Sequence, residues 1–366
     1  MKKSQIDLRQ QVAQLIIMGV EGPEPDGENI KTLTRIQPAG LILFARNIQT
    51  AEQCYDLLAA GRRGTSVPLF TCVDLEGGLV DRFRELIGPA PSQALVASTG
   101  SKMLIQKHGK ILGDEARSLG FNTDFAPVSD IGYEKSRNVM GSRTASSSPM
   151  ETIVYVREFL RGLKSAGVIG CGKHFPGLGE ADLDTHFSLP EVGKSFKELW
   201  ADDLLPYRKL HRKFPFVMVA HCAYPAVTGD RTPASLSSRW MKDILRRKVG
   251  YRGLVLADDL EMGGVLAVGS IENAALECLR AGADMFLVCR KEEFVLATFE
   301  AVLREAERDK KFARVVKERS DRVLAMKKKY PELKRVAPRP TEKTITRLRK
   351  QLDAFRKQLD KAGAKA

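Results

Sequence analysis

Among the six cysteines of this 366-residue chain there is no CxxC pair. Cys54, Cys72, Cys171, Cys222, Cys278 and Cys289 are scattered, four of them in or beside apolar strand-like runs, which argues for buried, reduced thiols and against a cysteine-built metal site. The sequence also lacks any continuous apolar run of roughly 20 residues, the length a membrane helix needs. Its first apolar run, Leu15 to Val20, is too short for a signal-peptide core and has no small-residue cleavage site. A cytoplasmic, soluble protein with no membrane span is expected. Absent too is a GxGxxG turn after the first strand-like run, where MGVEGPEPDGEN stands, so an open dinucleotide-binding sheet is disfavoured.

What is present bounds the answer further. A hydrophobic fraction of 43% in 366 residues supports a large core, fitting two ordinary domains or one large α/β barrel. The formal charge of +14 suggests an anionic partner, but residues 331–366 hold 11 Lys or Arg against 4 Asp or Glu, half of the excess. The remainder is mildly basic and gives no reason to expect nucleic acid.

Short runs rich in Val, Ile, Leu and Phe recur at 15–20, 40–44, 68–74, 124–130, 168–174, 216–221, 253–259 and 284–289, with helical patterns between them. Eight such strands, apolar without alternation, predict a single (β/α)8 TIM-type barrel, an α/β fold whose strands are covered on both faces. In ETIVYVREFLRGLK, Ile153, Val156, Leu160 and Leu163 share one helical face; in the segment from Ser270, that serine reads as an N-cap and Gly282 as the stop. The barrel is expected to occupy residues 1–330. After the proline-rich break PELKRVAPRP, Ile345, Leu348, Leu352, Phe355 and Leu359 recur at steps of three and four, predicting a basic amphipathic helix in a 331–366 extension. Docking on its own barrel or a sister subunit is the leading reading of that helix; a solvated tail and a nucleic-acid or membrane contact are the others.

In barrels of this kind active sites sit at the C-terminal ends of the strands. Asp74, Asp130, Lys173 with His174, His221, and Asp258 with Asp259 each end a predicted strand, so they should share one mouth, and four of the five histidines should lie near that rim. Asp130 has the bland reading of a turn cap, and His221 that of a buried histidine bonded to a carbonyl under the pocket. Strand neighbours point to opposite faces, so only one of Asp258 and Asp259 is expected to offer a catalytic carboxylate.

The stretch KHFPGLGEADLDTHFSLP, residues 173–190, admits three chemical readings. Its histidines and acids could bind a divalent metal, although the close-spaced HxH after a first strand is missing. Lys173 could form a Schiff base, yet the polar loop after it suits recognition of hydroxyls better. Or Asp184 could fix the tautomer of His186 two residues on and raise its basicity, leaving the imidazole to transfer protons beside a carboxylate nucleophile elsewhere.

Taken together, KHFPGLGEADLDTH, VDLEGGLVDRFR, VMVAHCAYPA and LADDLEM resemble the glycoside hydrolase family 3 β-N-acetylglucosaminidases, bacterial cytosolic enzymes of cell-wall recycling, in order over roughly residues 12–290. The resemblance implies a retaining enzyme that removes terminal β-linked N-acetylglucosamine, here from peptidoglycan fragments. It implies Asp258 as the nucleophile, His186 as the general acid/base and Asp184 as its partner, with Asp74, Arg82, Arg143, Lys173 and His174 binding sugar. A loop-borne His–Asp pair thus replaces the second carboxylate that most retaining glycosidases use. The implied partner is a small carbohydrate; no cofactor and no metal are called for. Monomer and homodimer are both compatible.

The chain departs from the family's pattern in the loop, where PGLGE stands for PGHGD and puts Leu178 and Glu180 in place of a histidine and an aspartate. DLEGGL stands for DQEGGR, with Leu75 and Leu79 at usually polar positions. Alternatives are a β-N-acetylglucosaminide phosphorylase or another family 3 β-glycosidase. The multidomain β-glucosidases take their acid/base from a second domain, for which a chain ending near residue 366 is expected to have no room. A non-catalytic sugar- or nucleic-acid-binding barrel is the reading from a different class.

Overall fold

The computed structural model describes residues 6–178, 180–181, 189–267 and 269–365. Eight parallel strands form one sheet: β1 (Ile16–Met18), β2 (Gly40–Ile42), β3 (Phe70–Val73), β4 (Thr123–Asp124), β5 (Cys171–Phe175), β6 (Phe216–Val219), β7 (Leu254–Asp259) and β8 (Met285–Val288). Their order runs β4-β3-β2-β1-β8-β7-β6-β5, and parallel bridges Thr123–Ile169 and Val128–Lys173 join the two ends. The sheet is thereby a closed barrel; six of the eight predicted runs contain one of its strands whole, while β4 starts one residue before the run 124–130 and β5 ends one residue beyond the run 168–174.

Because both faces of each strand are covered, alternate residues divide between two apolar layers. Ile17, Ile42, Phe70, Phe216, Leu256 and Leu287 fill the barrel's interior, with the Phe70 and Phe216 rings edge to face at 5.3 Å. Ile16, Leu41, Val217, Val255, Phe286 and Val288 face outward against the helices. The helix Lys310–Lys329 closes the N-terminal end of the barrel, sending Val323 and Met326 into the interior cluster. All six cysteine side chains are buried.

Local chemistry sets the helix ends where the sequence indicates. Ser148 caps Pro149–Ser165, burying Ile153, Val156, Leu160 and Leu163, and Ser270 caps Ile271–Ala281, which Gly282 ends with φ +128°. The amphipathic helix Glu342–Lys361 packs on the barrel: its five apolar residues are buried, and the Phe355 ring stacks on His108 of helix Lys102–Ser118 at 5.8 Å. Arg339 grips Asp56 with two hydrogen bonds, and Tyr55 donates to the Ala337 carbonyl, tying the preceding link to the barrel as well. Among the described residues no helix is long and apolar enough to cross a membrane.

Candidate active site

At the C-terminal ends of the strands lies a cavity of about 160 Å³. Asp74, Arg82, Arg143, Lys173, His174 and Asp258, all singled out in the sequence, line it together. Asp184 and His186 lie outside the described residues; Leu178 and Ala181, on the chain leading to them, belong to the cavity wall.

The charged wall is built around a residue that the sequence reading passed over. Glu76 follows β3 in a short hairpin, Leu75–Gly77 with Val80–Asp81, turned by Gly77 and Gly78 at φ +81° and +62°. A side chain at Gly77 would collide with the Pro91 carbonyl at 2.3 Å, so the hairpin packs tightly and Glu76 is held inward. Lys173 Nζ lies 2.7 Å from Glu76 Oε1 and 2.8 Å from Asp74 Oδ1. Arg143 forks onto both Glu76 oxygens at 2.8 and 2.9 Å. Burial alone would raise the Glu76 carboxyl, but Arg143 and Lys173 outweigh it and hold it well below the usual carboxylate range. Burial would likewise lower Lys173, and Asp74 and Glu76 overcome it, keeping the ammonium charged. Leu79 stands at the hairpin tip, 67% exposed, whereas Leu75 is buried, so only one of the two departures in DLEGGL changes the surface.

His174 is oriented by Asp130, which does not act as the simple turn cap that its position suggests. One Asp130 oxygen takes the His174 ring Nδ1 at 2.8 Å and the His174 backbone N–H at 3.1 Å; the other takes the Leu178 N–H at 2.7 Å. One buried carboxylate thus fixes the imidazole and the start of the following loop. The peptide bond between Lys173 and His174 is cis.

Asp258 and Asp259 both reach the cavity, against the expectation from strand alternation, because the ladder slips between β7 and β8 at this end. Their surroundings differ. Asp259 spends Oδ1 on the backbone N–H groups of Glu261 and Cys289, and burial pushes its carboxyl up to about 7. Among the described residues Asp258 accepts the Asp259 N–H at 2.8 Å. Burial acts upward on it too, but His221, His174, that N–H and Lys173 bring it below its ordinary value. The two carboxyls are therefore set apart, one ionised throughout the neutral range and one titrating near neutrality.

His221 follows the bland reading: it is fully buried, with Nδ1 2.7 Å from Ser235 Oγ and Nε2 donating to the Asp259 carbonyl at 2.9 Å. The expectation of four histidines near one rim is overturned. His108 is buried among Tyr155, Phe159 and Phe355 on the outer helices, and His211 precedes β6 at the opposite end of the barrel.

Of the two loop departures, Leu178 is buried against the cavity, while Glu180 lies 3.7 Å from Lys194, which in turn binds Asp203 at 2.9 Å. Arg82 has its guanidinium 3.9 Å from Asp74 and over the Phe44 ring, with Nε buried and without a partner among the described residues.

Comparison with known proteins follows the same outline. The family described as glycosyl hydrolase family 3 N terminal domain matches residues 7–326. A β-hexosaminidase of Idiomarina loihiensis is 35% identical over 296 residues, 80% of this chain and 88% of its own. Among solved structures, a glycoside hydrolase family 3 β-N-acetylglucosaminidase from Paenibacillus superposes with a TM-score of 0.86 at 30% identity, over 96% of this chain and 69% of its own. That match reaches into residues 331–366, which the sequence resemblance did not cover. NagZ from Neisseria gonorrhoeae, solved in complex with N-trifluoroacetyl-D-glucosamine, superposes with a TM-score of 0.71 at 29% identity, over 85% of this chain and 98% of its own.

Proposed function

The chain belongs to glycosyl hydrolase family 3 and is a glycoside hydrolase of the β-hexosaminidase type; from that premise we propose that it is a retaining exo-β-N-acetylglucosaminidase acting on peptidoglycan fragments, with Asp258 as its nucleophile. The observation that carries this reading is the contrast between adjacent carboxyls. Asp258 faces the cavity and is kept ionised, while Asp259 is committed to backbone N–H groups and is kept near neutrality.

A cavity of about 160 Å³ closed below by the barrel suits a single terminal sugar ring, which favours exo action. Asp74 offers carboxylate oxygens to sugar hydroxyls, Lys173 and Arg82 offer donors, and the buried Nε of Arg82, without a partner among the described residues, is a donor that a ligand would satisfy. His174, with Nδ1 committed to Asp130, presents its remaining ring nitrogen as a fixed group for a sugar oxygen. Since Asp74, Lys173 and His174 are held by partners before substrate arrives, binding costs little reorganisation there.

In the first step an Asp258 oxygen forms a bond to the anomeric carbon as the bond to the leaving oxygen breaks, and that oxygen takes a proton from His186. In the second, water attacks the same carbon, its proton passes to His186, and Asp258 departs with the bonding pair. Two displacements at one carbon retain its configuration. Asp184 orients His186 and stabilises its charged form.

Hydrolysis of nitrophenyl N-acetyl-β-glucosaminide and nitrophenyl β-glucoside tests the substrate assignment. The proposal expects the first to be cleaved much the faster; preference for the glucoside would overturn it.

A further inference from the structure

Charge is distributed unevenly along this chain. Residues 310–366 carry 20 Lys or Arg against 6 Asp or Glu, and residues 1–309 carry 39 of each sign, so the whole excess of +14 belongs to the last two long helices and their link. On the outer helix, Glu342–Lys361, part of this charge is met within the chain: Arg349 donates to the Leu86 carbonyl, and Arg356 binds Asp353 and the Pro89 carbonyl.

The helix Lys310–Lys329 is placed differently. It lies across the N-terminal end of the barrel, opposite the candidate active site, and its second half borders a cavity of about 710 Å³, within the range usual for ligand sites. Three separate segments supply that cavity's cations: Arg212 and Lys213 just before β6, Arg252 just before β7, and Arg322 and Lys329 on the helix. No carboxylate lines it among the described residues. Arg322 is engaged by Glu318 at 3.3 Å, and Arg252 donates to the carbonyls of Arg246 and Tyr251. Arg212, Lys213 and Lys329 are exposed and have no ion pair or side-chain hydrogen bond among the described residues.

A helix C-terminus attracts cations and accounts for lysines in the last turn. It does not account for Arg212, Lys213 and Arg252, which converge from the ends of two neighbouring strands. Like charges gathered in a concavity repel one another, and a bound polyanion relieves that repulsion. We propose that this cavity is an oligophosphate-binding site, taking a chain of two or more phosphate groups such as tripolyphosphate or the phosphate tail of a nucleotide. Guanidinium groups match phosphate oxygens in pairs, and lysine supplies a compact point charge, the combination found here. Tyr330, half-buried on the cavity wall, stands where a base attached to such a tail would stack.

Titration calorimetry of the full chain with tripolyphosphate at low salt tests this. The expected result is one site per chain whose affinity falls with added salt and falls roughly tenfold or more in Arg212→Ala/Lys329→Ala. Hydrolysis of nitrophenyl N-acetyl-β-glucosaminide should be unchanged in that variant, since both residues are exposed and lie at the other end of the barrel. The variant Lys350→Ala/Lys357→Ala, on the outer helix, should bind as the wild type does. Adenosine triphosphate binding at least as tightly as tripolyphosphate, and competing with it, supports the same site. Lack of binding, equal weakening by the outer-helix variant, or capture of duplex DNA that tripolyphosphate does not displace would each overturn the proposal.

Discussion

Lys173 Nζ lies 2.7 Å from Glu76 Oε1, and both side chains are almost wholly buried. With Arg143 on the same carboxylate and Asp74 on the same ammonium, two cations and two anions form one network at the mouth of the barrel. Removing one partner leaves its neighbours charged and buried, at about 3–5 kcal/mol. Glu76→Ala should therefore lower unfolding free energy by that order and raise KM by freeing Lys173 from its position. Glu76→Gln, which keeps the shape and the acceptor oxygen, should fall between it and the wild type. Denaturant titration with steady-state kinetics on the same samples checks both.

Asp130 supports three groups through its two oxygens: the His174 ring, the His174 N–H and the Leu178 N–H. Asp130→Ala should lower kcat/KM about ten- to hundredfold by releasing the imidazole and the start of the loop. Asp130→Asn, which retains one acceptor oxygen, should lose less. Equal losses in the two variants would contradict a positioning role.

The paired carboxyls give a pH prediction with a definite sign. The Asp258 carboxyl is held below its ordinary value, so its reactive, ionised form persists as pH falls toward that ordinary value. Covalent labelling by a fluorosugar should lose no rate to the nucleophile's protonation until pH drops below that value. Asp259 is raised to about 7 in the folded chain, so its contribution to stability is complete below its ordinary value and declines as pH rises toward 7. In Asp259→Asn this part of the decline should vanish, as urea titrations at a series of pH values would show.

A fourth test concerns residues 331–366, which we regard as an extension that stabilises the 1–330 barrel without entering the chemistry. Phe355 is buried and stacked on His108, so Phe355→Ala should cost about 3–5 kcal/mol. Deletion of 331–366 should lower Tm further, while KM at a temperature where the shortened chain is folded stays near that of the full chain. A large change in KM would place the extension's influence in the site.

Much of the architecture is legible in the sequence because strands covered on both faces leave uninterrupted apolar runs, and all eight runs overlap barrel strands, the one at 124–130 by a single residue. The positions of Asp74, Lys173, His174 and Asp258 follow from the same fact, since each polar residue that ends such a run must lie at the mouth. What stayed hidden depends on side-chain partnerships between distant segments. Glu76 lies three residues beyond its strand in a hairpin that has no periodic signature; its link to Lys173, 97 positions away, could be seen only once β3 and β5 were placed on either side of β4. The pattern DLEGGL with its glycine turn was the available signal. Asp130 read as a local cap because its partners lie 44 to 48 residues away. Counting histidines misled, since His108 is a core residue and His211 belongs to the other end of the barrel.

The central claim is that Asp258 carries the covalent bond to sugar, and the direct measurement is mass spectrometry of the chain after reaction with a fluorinated N-acetylglucosaminide. The account predicts one added sugar on the peptide containing Asp258, no such adduct in Asp258→Ala, and a loss of hydrolysis in that variant on the order of a thousandfold or more. A sugar attached to another carboxylate, or hydrolysis retained in Asp258→Ala, would contradict it.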